Sequence, residues 1–270
     1  MKGPKILLES EDHWVTDIGM FIPGDRVIFR GKDLFQELKD IRWMGIHLYG
    51  ITGRFFSERQ LRLFEALWVI SVSYPDPRIW NNRVAALAGT VRSSSPLAMS
   101  AATAVTEATI YGHKPSVGAM DFLLRTQEKL NQCADLEQLI KAELKEHRKI
   151  CGYGRPKPVH ADHDERIAPI MDMARRLELN NGPYLKLALE IDNVLAKSRY
   201  RIRMTVAGLA AALCADQGLT PREFCAFLIP AYIGGMTPCY LDALNHPEGS
   251  LFPLRCSRIN YQGKPPRSWD

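Results

Sequence analysis

The stretch Gly152-Tyr153-Gly154-Arg155-Pro156-Lys157-Pro158-Val159-His160-Ala161-Asp162-His163-Asp164-Glu165-Arg166 decides how this chain is read. Two glycines and two prolines in a polar run cannot sustain a helix. Proline lacks the backbone donor and clashes with the preceding turn. The segment is therefore read as a loop. Its glycines let the backbone approach a ligand closely. Arg155, Lys157 and Arg166 supply cations, and His160 and His163 supply imidazoles that titrate near neutrality. The same composition also suits a polar surface loop.

Outward from this loop, the pattern is helical in both directions. After it, Ile167, Ile170, Met171, Ala174 and Leu177 recur at helical spacing, and Asn180-Asn181-Gly182-Pro183 stops that helix. Tyr184–Ala196 and the small-residue stretch Thr205–Ala215 read as two further helices. Thr220-Pro221-Arg222-Glu223 supplies a cap, a first-turn proline and a glutamate for the last, ending near Asn245. Before the loop, Met120–Ile150 is charged and amphipathic. Ser57-Glu58-Arg59-Gln60 is a capping box. Leu61, Phe64, Trp68 and Val72 follow it as one buried stripe, and Tyr74–Pro77 ends that helix. Only Thr16–Arg30, with a Pro-Gly-Asp turn, reads as a β-hairpin. The fold class is therefore all-α, with about ten helices and a short N-terminal hairpin.

Composition narrows the function. The chain has 270 residues, 46% apolar and 24% charged, which excludes collagen, coiled coils and extensive disorder. The length suits one large domain, or a large and a small one. The apolar stretches Ala207–Ala215 and Phe224–Ile233 fall short of a membrane span, and no signal peptide is expected. The net charge of +5 is scattered, fitting either a mildly basic surface or a pocket for an anion, without the pattern of a nucleic-acid binder. Cys133, Cys151, Cys214, Cys225, Cys239 and Cys256 form no CxxC pair, so reduced thiols in a cytoplasmic protein are expected, without a metal cluster. Phosphate-loop, GxGxxG, HExxH and GxSxG motifs are absent. The tryptophans at 43, 68 and 80 are read as core, and His47 as structural.

Residues Gly152-Tyr153-Gly154-Arg155, closing at Asp164-Glu165-Arg166, resemble the citrate synthase signature: Gly-aromatic-Gly-His, a basic residue, then Asp-Pro-Arg. Val27–Leu38 (VIFRGKDLFQEL), Ser57–Leu61 and the tail Ser257–Gly263 (SRINYQG) are collinear with further segments of that family. The length is closer to the compact citryl-CoA lyase module than to a full citrate synthase. The resemblance implies an all-α homodimer with a large domain (1–150, rejoined by 236–270) and a small domain (151–235) that closes over a coenzyme A thioester. It implies Claisen condensation or the reverse cleavage: a carboxylate removes a proton alpha to the thioester, one histidine stabilises the enol, and another acts on the keto acid. No metal, nucleic acid or membrane is implied.

The departures fall on the chemistry. Ser116, in Pro115–Met120, stands at the first catalytic histidine, with His113 three residues away. Arg155 stands at the second, and Ala207, in Thr205-Val206-Ala207, at the aspartate. A further family histidine falls near Tyr74-Pro75-Asp76. Asp192 and Asp216 lie too far along the chain to replace the aspartate. A guanidinium stays protonated and cannot be a general base, but it holds carboxylates and oxyanions well. The expected catalytic set is thus Arg155, Asp76, His113, Ser116 and His160. Arg78, Lys157, Arg166, Arg255 and Arg258 are the expected substrate- or coenzyme A-binding residues. The expected activity is altered carbon–carbon bond chemistry on an acyl-CoA or β-keto acid; the alternative is a non-catalytic acyl-CoA-binding partner subunit.

Overall fold

A computed structural model of the protein describes residues 4–71, 74–109, 112–154, 164–198 and 202–264. Among them are eleven α-helices and five short strands: α1 (Lys5–Ser10), β1 (Gly19–Ile22), β2 (Arg26–Phe29), β3 (Lys32–Asp33), α2 (Trp43–Thr52), α3 (Glu58–Ser71), α4 (Trp80–Thr90), α5 (Ser95–Val105), α6 (His113–Asn131), α7 (Leu136–His147), β4 (Tyr153–Gly154), α8 (Ile167–Arg176), α9 (Pro183–Lys197), β5 (Arg203–Met204), α10 (Val206–Asp216) and α11 (Pro221–Leu244). The fold is all-α with a small N-terminal hairpin, as the periodicity predicts.

Local signals place these elements. The Pro-Gly-Asp turn sets Gly19 opposite Phe29 and Ile22 opposite Arg26, and Gly24 takes the left-handed backbone the turn needs (φ 75°). A third strand, β3, extends the hairpin. Its two residues are too few to show alternation in the sequence. Ser57 and Gln60 cap α3 reciprocally: the Ser57 N–H donates to Gln60 Oε1 at 2.9 Å. Asp135 caps α7 through the Gln138 N–H at 2.9 Å. At α11 the Thr220 N–H donates to Glu223 Oε2 at 2.8 Å, and the Glu223 N–H to Thr220 Oγ1 at 3.2 Å. α11 has 24 residues and includes Pro230 and Pro238. By length and composition it reaches what a membrane span requires, more than the shorter apolar stretches of the sequence suggest. It also buries Phe224, Phe227, Met236 and Ala243.

The chain divides into two compact units, Met1–Ser71 with Pro115–Leu228, and Val72–Lys114 with Ile229–Asp270. The domain boundaries expected at 150 and 235 concern closure over a ligand, which is a different property from contact density. In the first unit Phe64 is fully buried and meets Phe227 edge-on at 5.3 Å. α9 packs on α10, which buries every residue from Gly208 to Ala215. In the second unit Ala85, Ala98 and Ala102 pack with Met236 and Tyr240. The small side chains bring α4 close to the C-terminal part of α11: a Cβ on Gly89 would stand 2.6 Å from the Tyr240 carbonyl oxygen. Two tryptophans depart from the core expectation. Trp43 is 57% exposed and Trp80 48% exposed, each being the first residue of its helix, on an outward side.

Candidate functional site

The start of the signature loop is built from glycine contacts in the first unit. Gly152 has φ 82°, and a Cβ there would stand 2.8 Å from both Ala119 Cβ of α6 and Gly208 Cα of α10. A Cβ on Gly118 would stand 2.8 Å from Cys151 Sγ. The loop thus meets α10 backbone to backbone, and α6 through the small side chains of Ala119 and Cys151. The Gly152 carbonyl accepts the Thr205 N–H at 2.9 Å and the Thr205 hydroxyl at 3.0 Å. β4 and β5 pair antiparallel, Tyr153 opposite Met204. The buried Tyr153 hydroxyl donates to the Ala188 carbonyl at 2.9 Å, and burial pushes its pKa well above the ordinary phenol value. Asp192 is buried beneath β5. Its carboxylate accepts Arg203 Nη2 at 2.8 Å and the Met204 N–H.

The end of the loop meets the N-terminus of α10. Asp164 Oδ1 accepts Arg166 Nε at 2.8 Å, and Oδ2 accepts Arg166 Nη2 at 2.8 Å. The same Oδ2 accepts the Val206 N–H at 2.9 Å, one of the donors that a helix start leaves unsatisfied. Burial works to raise the Asp164 carboxyl; the hydrogen bonds from Arg166 and Val206 outweigh it and hold the group below its ordinary value. One carboxylate therefore fixes a guanidinium beside the positive end of a helix dipole, an arrangement that favours anions. Ala207, the next residue of α10, brings a methyl group to the turn where the resemblance puts a carboxylate.

A folded-state pKa below the unfolded one stabilises the fold above the unfolded value, about 4 for aspartate, and the benefit is lost as pH falls through the folded value. Acidification below about pH 4 is thus expected to lower the thermal midpoint, and Asp164→Asn to remove that part of the dependence. Calorimetry at stepped pH checks this; parallel wild-type and variant curves would contradict it.

The remaining expected site residues are distributed as follows. Arg155, Lys157 and His160 lie outside the described residues. Asp76, in the second unit, is committed to its neighbour: Arg78 donates Nε at 2.9 Å and Nη2 at 2.6 Å to Asp76 Oδ2. The Arg78 hydrogen bonds hold the Asp76 carboxyl below its ordinary value, which makes it a weaker base. Arg78 is correspondingly engaged in this pair. His113 opens α6, is buried, and places its ring 5.3 Å from that of Tyr232. Ser116 is buried in the first turn of the same helix. Arg255 and Arg258 lie on the exposed tail, the Arg258 N–H donating to the Arg255 carbonyl at 2.9 Å. Among the described residues, no three His, Cys, Asp or Glu side chains converge as a metal site would need.

The sequence reading missed the role of Asp164. Its signal was present: an aspartate two residues before an arginine allows the guanidinium to fold back on the carboxylate. It also missed the Asp192–Arg203 pair, which joins residues eleven positions apart. Asp216 is a cap, accepting the Tyr184 N–H at 2.8 Å and the Leu185 N–H at 3.0 Å at the start of α9. Burial raises its pKa against those two bonds.

No protein-family model matches the chain, and no curated protein matches it. Solved structures do. Citryl-CoA lyase from Hydrogenobacter thermophilus superposes with a TM-score of 0.82 at 23% identity, over 95% of this chain and 97% of that one. ATP citrate lyase from Methanosaeta concilii, an aspartate-to-alanine variant in complex with (3S)-citryl-CoA, gives 0.75 at 16% identity, over 98% of this chain and 45% of that one. Citrate synthase from Thermoplasma acidophilum, in a ternary complex with carboxymethyl coenzyme A and oxaloacetate, gives 0.62 at 11% identity, over 85% and 59%. The protein has the all-α fold of the citrate synthase superfamily, at a length that spans nearly all of the citryl-CoA lyase chain.

Proposed function

We propose that the protein acts on a coenzyme A thioester, forming or cleaving the carbon–carbon bond beta to the thioester carbonyl without the superfamily's usual proton-moving residues. The observation that carries this reading is the Asp164 carboxylate, which aligns Arg166 beside the first turn of α10. In this reading Arg166 holds a carboxylate of the ligand. Arg155 holds the enolate or keto oxygen, a role a permanent cation fills by charge and fixed donors. His160 moves the proton. The fold match supports the ligand class: solved relatives are complexes with (3S)-citryl-CoA, and with carboxymethyl coenzyme A and oxaloacetate. The proposed working form is a homodimer in the cytoplasm, with no metal.

A second reading, an acyl-CoA-binding subunit without turnover, is favoured by one position. Ala207 carries no titratable group, and Asp76 is tied to Arg78. An aspartate-to-alanine change is compatible with holding the thioester, as in the M. concilii complex. One experiment separates the readings. The protein is incubated with citryl-CoA, and separately with acetyl-CoA and a panel of keto acids, while acetyl-CoA and free coenzyme A are measured; binding is followed by calorimetry. Turnover abolished by Arg155→Ala supports the enzyme. Binding without turnover supports the subunit. Neither binding nor turnover with any of these thioesters rejects both.

A further inference from the structure

At the two ends of the signature loop and the start of α10, the described ionisable side chains are poor bases. Asp164 accepts two bonds from Arg166 and one from the Val206 N–H, and these hold its carboxyl below the ordinary value. Asp192 accepts Arg203 Nη2 at 2.8 Å and the Met204 N–H. The Tyr153 hydroxyl donates to the Ala188 carbonyl, and burial keeps it protonated. Burial likewise pushes the Cys151 thiol up. Glu165 is exposed to solvent, and a hydrated carboxylate does not deprotonate carbon. The first turn of α10, Val206-Ala207-Gly208-Leu209, adds no ionisable group.

The hydrogen alpha to a thioester carbonyl is a very weak acid. Removing it takes a base held close and out of water. The same carbanion forms without a base when a carboxylate sits on that carbon and leaves as carbon dioxide. Such a step calls for one cation to align the carboxylate and another to meet the charge that arrives on the thioester oxygen. Arg166 is partly buried and fixed at 2.8 Å through both Nε and Nη2, which suits it to the first task. On the thioester reading, Arg155 takes the second. The Ala207 methyl sets no negative charge against the incoming carboxylate, as an aspartate there would.

We infer, on the basis of that thioester reading, that the substrate class is a 2-carboxyacyl thioester of the malonyl type, whose loss of carbon dioxide supplies the enolate. The bond between C2 and the carboxylate carbon breaks, and its electron pair passes into the thioester carbonyl. Carbon dioxide leaves. The enolate carbon then bonds to the carbonyl carbon of a keto acid, whose oxygen takes a proton from His160 that water replaces. With no keto acid present, the enolate carbon takes a proton from water and becomes a simple acyl thioester. His160 thus delivers a proton to oxygen and is never asked to pull one from carbon.

The test uses the whole protein with malonyl-CoA labelled in its free carboxyl, in heavy water, with and without a panel of keto acids. Heat-inactivated protein gives the background. Labelled carbon dioxide is expected at least about 100-fold above that background. Acetyl-CoA formed without a keto acid should carry one deuterium more than the background. Acetyl-CoA supplied as substrate should keep its methyl hydrogens, with or without a keto acid. Ala207→Asp is expected to reverse this pattern. Release of carbon dioxide should fall at least about tenfold, because the new charge repels the substrate carboxylate, and methyl exchange should appear. An acidic residue suits a first helical turn, and a thermal melt checks the fold. Methyl exchange by the parent protein would reveal a working base; it would overturn the inference and leave the thioester reading standing. Malonyl-CoA that binds in calorimetry but releases no carbon dioxide would do the same. If malonyl-CoA, acetyl-CoA and citryl-CoA all fail to bind, the thioester reading falls and takes this inference with it.

Discussion

Gly208→Ala is expected to destabilise the protein by about 2–4 kcal/mol, from overpacking plus weakened backbone bonds. A Cβ on Gly208 would stand 2.6 Å from the Gly152 carbonyl oxygen. That oxygen cannot swing aside. It accepts both Thr205 bonds, and its residue is held with φ 82° against α6. The strain therefore passes into the loop start or into α10, which is buried from Leu209 to Ala215. For a chain of 270 residues, that loss lowers the thermal midpoint by roughly 4–8 °C. Gly154→Ala is the control two residues away. Among the described residues, its added Cβ would meet only Thr205 Cγ2, at 3.8 Å, an ordinary contact. Thermal melts of the two variants check the claim, and equal midpoints would contradict it.

The helices were legible because their signals are local. Ser57 with Gln60 and Thr220 with Glu223 announce helix starts within four residues, and the structure shows those bonds. The Pro-Gly-Asp hairpin was legible for the same reason. β4 and β5 were not, since two-residue strands carry no alternation; their pairing comes from residues 153 and 204 meeting in space. The exposure of Trp43 was equally hidden, because α2 is apolar all round and its sequence does not say which side is uncovered. At the site, the loop was legible from glycine and proline chemistry and from the signature it resembles. The partners were not. Asp164 answers a helix N-terminus 42 residues later, and Asp76 proved committed to Arg78. Charge type is written in the sequence; engagement depends on which donors the fold brings near.

Engagement also sets what Arg166 should do under the thioester reading. If its guanidinium holds a ligand carboxylate, Arg166→Ala is expected to weaken binding of citryl-CoA at least about 100-fold, the scale of a lost charge-assisted pair. Binding of coenzyme A without the acyl carboxylates should change little, because that ligand offers Arg166 no carboxylate. The contrast separates ligand recognition from general damage, which would weaken both. Asp164 still accepts the Val206 N–H in the variant, so the α10 cap survives. Arg166→Lys restores the charge without the two-pronged geometry, and recovery is expected to be partial. Calorimetric titration of the three proteins with both ligands gives the answer. An alanine variant that binds citryl-CoA within about threefold of the parent would remove Arg166 from the ligand site, a difference well under 1 kcal/mol. Its pair with Asp164 would then serve only to hold the loop end to the start of α10.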